Sequence, residues 1–230
     1  MDVFAILIDR LRAVERLYDD AAGLFQERKR RIEATEPPYV PSLDPDDYSE
    51  PPFLDEWLEA NEFQDVIGQS CLCLIHSCLR DYLDGIIERS AIKTQADLFL
   101  SERRKSIKGE SWFSRYLALF ADAFSIDWSQ SPVPVENLEE INLARNDIQH
   151  GRPAMGLNRY QNRTHAQRFP LGLFITGWDR NLRIEGAQLM PLDDTDQEWS
   201  AQIHVSVDAI KEAISRVENF CNFVEQRTPR

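Results

Sequence analysis

Asn137-Leu138-Glu139-Glu140-Ile141-Asn142-Leu143-Ala144-Arg145-Asn146-Asp147-Ile148-Gln149-His150-Gly151-Arg152-Pro153 is the stretch on which the reading of this chain turns. At about 100° per residue, Leu138, Ile141, Ala144 and Ile148 fall on one arc and mark the buried face of a helix. The helix is expected over about 135–150, because Pro132 and Pro134 break the chain before it, Gly151 ends it and Pro153 prevents its continuation. Asn146 and His150 are four apart and project together, roughly 150–200° from the centre of the apolar arc, with Arg145 on the rim between the two faces. Leu143 lies on the His150 side, where an apolar residue wants a partner. A helix with one apolar face for its own bundle and a second Asn/His/Leu face predicts a subunit contact at the second.

The segments around it are helical too. Phe4, Leu7, Leu11, Val14, Tyr18, Ala21 and Phe25 alternate spacings of three and four, one apolar stripe of a helix over 3–31. The pattern returns from 53 to about 87 and again over 111–124, where Ser111 is placed to cap Trp112. A closing helix follows from Val207, Ile210, Ile214, Val217, Cys221 and Val224. Residues 36–52 carry six of the twelve prolines and read as an acidic, extended linker. Leu171–Thr176 and Leu182–Ile184, either side of Gly-Trp-Asp-Arg-Asn, read as a short β-hairpin, and Gln202–Val207 as a third strand or the lead into the last helix. The expected fold is mainly α: a single domain over 1–230, an antiparallel helical bundle with a loop or small β-hairpin insertion (152–205) between its last two helices.

Composition narrows the function classes. Hydrophobic residues at 43% and charged residues at 28% suit a globular core. No apolar run approaches the roughly 20 residues a membrane helix needs, and the amino-terminal stretch lacks a signal-peptide pattern, so the expectation is a cytoplasmic protein with no membrane partner. Cys71, Cys73, His76 and Cys78 give a superficially metal-like spacing, but on a helix Cys71 and Cys73 point about 200° apart; buried thiols are the simpler reading, and no metal or cofactor is expected. The net charge of −13 argues against a generic nucleic-acid coat. The charge is segregated, however: residues 36–66 hold ten acids and no Lys or Arg, whereas 141–170 hold Arg145, Arg152, Arg159, Arg163 and Arg168 against Asp147 alone. Neither a phosphate-binding Gly-rich loop nor a G-x-S-x-G elbow is present.

His150 closes its helix, and a helix carboxyl end favours imidazolium by up to about 1 kcal/mol. Histidine can both take and give a proton near neutral pH. Arg145 is permanently charged, with a planar fork suited to phosphate, and Asn146 can hydrogen-bond to either. These are the ingredients for attack of an RNA 2′-hydroxyl on the adjacent phosphodiester, which needs a base, an acid and a cation but no metal.

Arg145-Asn146-x-x-x-His150-Gly151 resembles the R-x4-6-H signature of the HEPN superfamily, in which the residue after the arginine is often Asn. The resemblance extends loosely over most of the chain as a long second helix, a motif helix and a closing helix; only the motif is specific. It implies a helical homodimer whose two motifs meet in one composite, metal-independent endoribonuclease site, with Arg145 and His150 catalytic and Asn146 supporting them. It further implies a toxin of a toxin–antitoxin pair or a phage-defence effector, with an antitoxin or regulatory protein as a possible partner. RNA would lie over the motif and along Arg152, Arg159, Arg163 and Arg168 through phosphate contacts, with Trp178, Tyr160 or Phe169 as stacking candidates. The alternative is a non-catalytic HEPN-like binding or regulatory subunit. The acidic linker, folded over the arginines, would restrain activity; a solvated linker is the simpler reading.

Overall fold

The computed structural model describes residues 2–41, 50–150, 159–184 and 201–229. Its described helices are α1 (Val3–Glu33), α2 (Leu54–Arg89), α3 (Lys93–Ser106), α4 (Trp112–Phe124), α5 (Val135–His150), α6 (Arg163–Arg168), α7 (Gly177–Ile184) and α8 (Val207–Glu225). The chain is a mainly helical bundle, and among the described residues no helix is long and apolar enough to cross a membrane.

The frame is built by α1, α2, α5 and α8, which supply most of the buried core. α1 presents Leu7, Leu11, Val14 and Tyr18 to the core, and Asp2 caps it by accepting from the Ala5 amide at 2.9 Å. α2 runs back alongside it: Arg10 meets Asp81 at 2.6 Å while Arg28 meets Glu59 at 2.7 Å, the order that antiparallel neighbours require. α8 lies parallel to α2, joined by the Tyr82 hydroxyl on the Cys221 carbonyl (2.9 Å) and by Arg89 on Glu225 (2.7 Å). α5 completes the frame with Leu138, Ile141 and Ala144, all fully buried. α4, capped by Ser111 as expected, sends Phe113 against Phe220 of α8 at 5.7 Å between ring centroids.

The segment after the motif helix differs from its expected form. Residues 177–184 are helix α7, not the second half of a hairpin. The reason is local: the Thr176 hydroxyl accepts from the Asp179 amide (3.0 Å) and donates to the Asp179 carboxylate (2.7 Å), so Thr-x-x-Asp nucleates a helix amino terminus where Gly-Trp-Asp-Arg-Asn suggested a turn. Gln202 and Ile203 make only isolated antiparallel bridges, to Tyr160 and Ile175, before leading into α8. Helices α3 and α6 were not expected. Residues 42–49 of the acidic linker lie outside the described residues; 34–41 and 50–53, on either side, are non-helical.

The post-motif segment is fastened to the bundle by buried aspartates. Asp65 of α2, 3% exposed, meets His204 Nδ1 at 2.6 Å. Gly68, one turn on, lets the Val205 backbone approach so closely that an added Cβ would sit 2.3 Å from the Val205 carbonyl oxygen.

Candidate site on the motif helix

α5 carries more polar residues into the interior than its sequence suggests: Glu139, Glu140, Asn142 and Asp147 are all buried beside the apolar arc. Each is satisfied by a different neighbour. Glu140 accepts from the Leu173 amide and from Arg216 Nη1 (3.2 Å). Glu139 accepts from the Ser111 hydroxyl (3.1 Å) and lies 3.6 Å from Arg168. Burial pushes its carboxyl above the usual range, against the pull of Ser111, Arg168 and Asn142.

Within the motif, Arg145 and Asp147 are two residues apart and so point about 200° from each other. Asp147 faces the post-motif segment. Its carboxylate lies 2.8 Å from Nδ1 of the fully buried His165, accepts from the Asn162 amide at 3.1 Å and also accepts from the Asn162 side chain. Asn162 in turn caps α6, its side chain accepting from the His165 amide at 3.0 Å. Arg159 donates from Nε to the Ile148 carbonyl at 3.1 Å, which satisfies an otherwise open carbonyl in the last turn of α5.

Arg145 points the other way, toward α2, and is half-buried. Its Nη1 donates to Asn146 Oδ1 at 3.0 Å, and no carboxylate among the described residues closes on it. It lies near enough to Cys73 and His76 of α2 to act on both electrostatically. His76 Nε2 is 3.3 Å from Asn142 Oδ1. The Trp112 indole N–H donates to the same oxygen at 2.6 Å and stands 3.1 Å from His76 Nε2. Burial, reinforced by the Arg145 charge, depresses His76 to about 4. The imidazole is therefore neutral at physiological pH. On Cys73 burial again dominates and raises the thiol; Arg145 and a hydrogen bond with Gln149 pull it back.

Between the two grips a strip of α5 stays open. Asn146 and Leu143 are half-buried and His150 is exposed at the helix end. Of the expected site residues, Arg145 and Asn146 are brought into direct contact, and His150 shares their helix face one turn beyond Asn146. Arg159 and Arg168 border α5, but both are engaged with it, Arg168 also lying over the Phe169 ring at 5.5 Å. Arg163 opens α6 and is exposed. Arg152 and the side chain of Trp178 lie outside the described residues, and Tyr160 is held in a bridge with Gln202.

Sequence reasoning met His76 only in a metal-like spacing with cysteines and missed its contacts with Asn142 and Trp112, as it missed the Asp147–His165 pair. Asn142 and Asp147 stood in view on the motif helix, but their partners are 66 and 18 residues away in sequence. The strip offers an imidazole for proton transfer, a guanidinium for anionic charge and an amide for orientation, all on one rigid helix. Comparison of the chain with protein-family models, with curated proteins and with solved structures returns no match.

Proposed function

We propose that the chain is a metal-independent endoribonuclease of the HEPN type, acting as a homodimer whose two α5 strips meet. The observation that carries this reading is the strip itself. Asn146 and His150 remain accessible on the same face, with the Arg145 guanidinium at its edge and free of any carboxylate among the described residues. Half-buried Leu143 supplies an apolar contact for the second copy.

In the reaction, the 2′-oxygen bonds to phosphorus as the bond to the 5′-oxygen breaks. One His150 takes the proton of the 2′-hydroxyl, and His150 of the second copy gives one to the leaving 5′-oxygen. Arg145 balances the charge that grows on the phosphoryl oxygens, and Asn146 fixes the direction of the guanidinium through its 3.0 Å contact. A toxin or phage-defence role in the cytoplasm, restrained by an antitoxin or regulatory protein, belongs to the same proposal.

The test is digestion of mixed cellular RNA in EDTA by wild type, His150→Ala and Arg145→Ala. Wild type is expected to leave 2′,3′-cyclic phosphate ends, with either variant slower by roughly 10²–10⁴-fold. A folded, dimeric wild type that leaves RNA intact would turn the reading to a non-catalytic binding or regulatory subunit. The Arg145–Asn146 contact would then serve packing of that interface.

A further inference from the structure

The side of α5 that faces α2 forms a polar seam. Asn142, Arg145, Asn146 and Gln149 recur at spacings of three and four on α5, and Cys73, His76 and Arg80 do the same on α2. The seam is antiparallel: Gln149 acts on Cys73, and His76 meets Asn142 at 3.3 Å. Arg80 lies one turn beyond His76, its guanidinium 5.7 Å from the centre of the Trp112 ring, whose N–H joins the His76–Asn142 contact. The side chain is 54% exposed.

On α1 and α2, Arg10, Arg28 and Arg89 close on carboxylates at 2.6–2.7 Å, in a chain where acids outnumber bases 39 to 26. Arg80 is paired more loosely, through a 3.9 Å i,i+4 contact of Nε with Asp84, which also accepts the Tyr116 hydroxyl at 2.5 Å. The other acid near the seam, Glu139, is buried and occupied by Ser111, Asn142 and Arg168. The groups behind the two guanidiniums, His76, Asn142 and the Trp112 indole, are neutral hydrogen-bonding groups, so Asp84 is the carboxylate that a phosphate on Arg80 has to displace.

We propose that Arg80 is a second phosphate-binding residue beside Arg145, and that a single RNA strand leaves the His150 end along the α2–α5 seam, placing successive backbone phosphates on Arg145 and then Arg80. This rests on the ribonuclease reading for the identity of the ligand as RNA. From Cys73 to Arg80 the seam runs seven residues, about 10 Å at 1.5 Å per residue, room for a nucleotide or two beyond the reacting one. The path departs from the sequence expectation of a track over Arg159 and Arg168, both of which are engaged with α5 itself. Trp112 holds Arg80 by its ring face, Asp84 and Tyr116 approach one side of the guanidinium, and its exposed remainder is offered to phosphate oxygens.

The experiment measures binding of a labelled 2′-O-methyl RNA oligonucleotide, which lacks the attacking hydroxyl, by fluorescence anisotropy across a salt series. The proteins are full-length wild type, Arg80→Ala, Arg80→Gln and Arg12→Ala, the last removing an equal charge from an exposed position of α1. Both Arg80 variants are expected to bind roughly ten-fold more weakly. Their log–log salt slope should be shallower by about 0.7, one phosphate contact on a single strand; Arg12→Ala should match wild type. Binding by both Arg80 variants at wild-type strength, or no binding by wild type, overturns the proposal, as does an equal loss in Arg12→Ala. The same proteins are assayed on cleavable RNA. Arg80-dependent binding without cleavage by any of them removes the ribonuclease reading and leaves the phosphate site. Cleavage and binding unaffected by Arg80 substitution do the reverse.

Discussion

Asp147 sits inside the motif yet faces away from the open strip, and its replacement separates holding from chemistry. The carboxylate is 2% exposed and the His165 ring it meets at 2.8 Å is fully buried. Asp147→Ala removes a charge-assisted hydrogen bond, worth about 1.5–3 kcal/mol. It also strands His165 Nδ1 where water does not reach, in a ring whose Nε2 already lacks a partner among the described residues; that adds about 1–3 kcal/mol. The Asn162 donors are exposed and turn to solvent at little cost. The sum is about 2.5–6 kcal/mol, which for a chain of this length lowers Tm by roughly 5–20 °C. Asp147→Asn keeps the shape and one acceptor and should lose about half as much. Circular dichroism melts of purified wild type and both variants, paired with RNA cleavage well below each Tm, decide the matter. A Tm for Asp147→Ala within about 1 °C of wild type would refute the fastening role. Cleavage abolished in Asp147→Asn at an unchanged Tm would place the carboxylate in the chemistry instead.

Two further outcomes follow from the packing. His76 titrates near 6.5 when unfolded but is pushed down to about 4 in the fold, so between those values the unfolded chain binds a proton that the native state rejects. Its contribution is complete above pH 6.5 and is lost as the pH falls toward 4, up to about 3 kcal/mol. Urea midpoints measured across that range should decline more steeply for wild type than for His76→Gln, and parallel curves would show that the imidazole is not buried neutral. Gly68→Ala would drive a methyl into the Val205 carbonyl and Cβ, destabilising by roughly 1–3 kcal/mol. It should also loosen residues 201–205, read as faster hydrogen exchange at the Ile203 and His204 amides; an unchanged urea midpoint would mean that the close approach does not exist.

The frame helices were legible because each carries a three-four apolar alternation along its length, and packing used that alternation directly: Leu7, Leu11, Val14 and Tyr18 on α1, Ile210, Ile214, Val217 and Cys221 on α8. The capping of α4 by Ser111 was legible for the same local reason. α3 was not, since Ala96 is its one fully buried residue and leaves no stripe to read. Around Thr176 two local signals competed, and the capping pair prevailed over the turn dipeptides. The strip of Asn146 and His150 could be read from helix geometry alone. The polar seam and the Asp147 anchor could not, because a helical wheel gives directions without saying which later segment will occupy them.

α8 is the last described helix in chain order, and it closes the bundle: Val217, Phe220 and Cys221 sit at the centre, and Tyr82 and Arg89 of α2 bond to it. A nascent chain that has emerged only to residue 200 already displays Arg145, Asn146 and His150, but lacks the surface against which α1, α2 and α5 settle. The motif therefore acquires its arrangement only once α8 has followed it out of the ribosome. Under the ribonuclease proposal, that ordering would keep unfinished chains inert beside the messages and tRNAs that are producing them. A premature stop within α8 would, under the same proposal, abolish cleavage while sparing Arg145, Asn146 and His150.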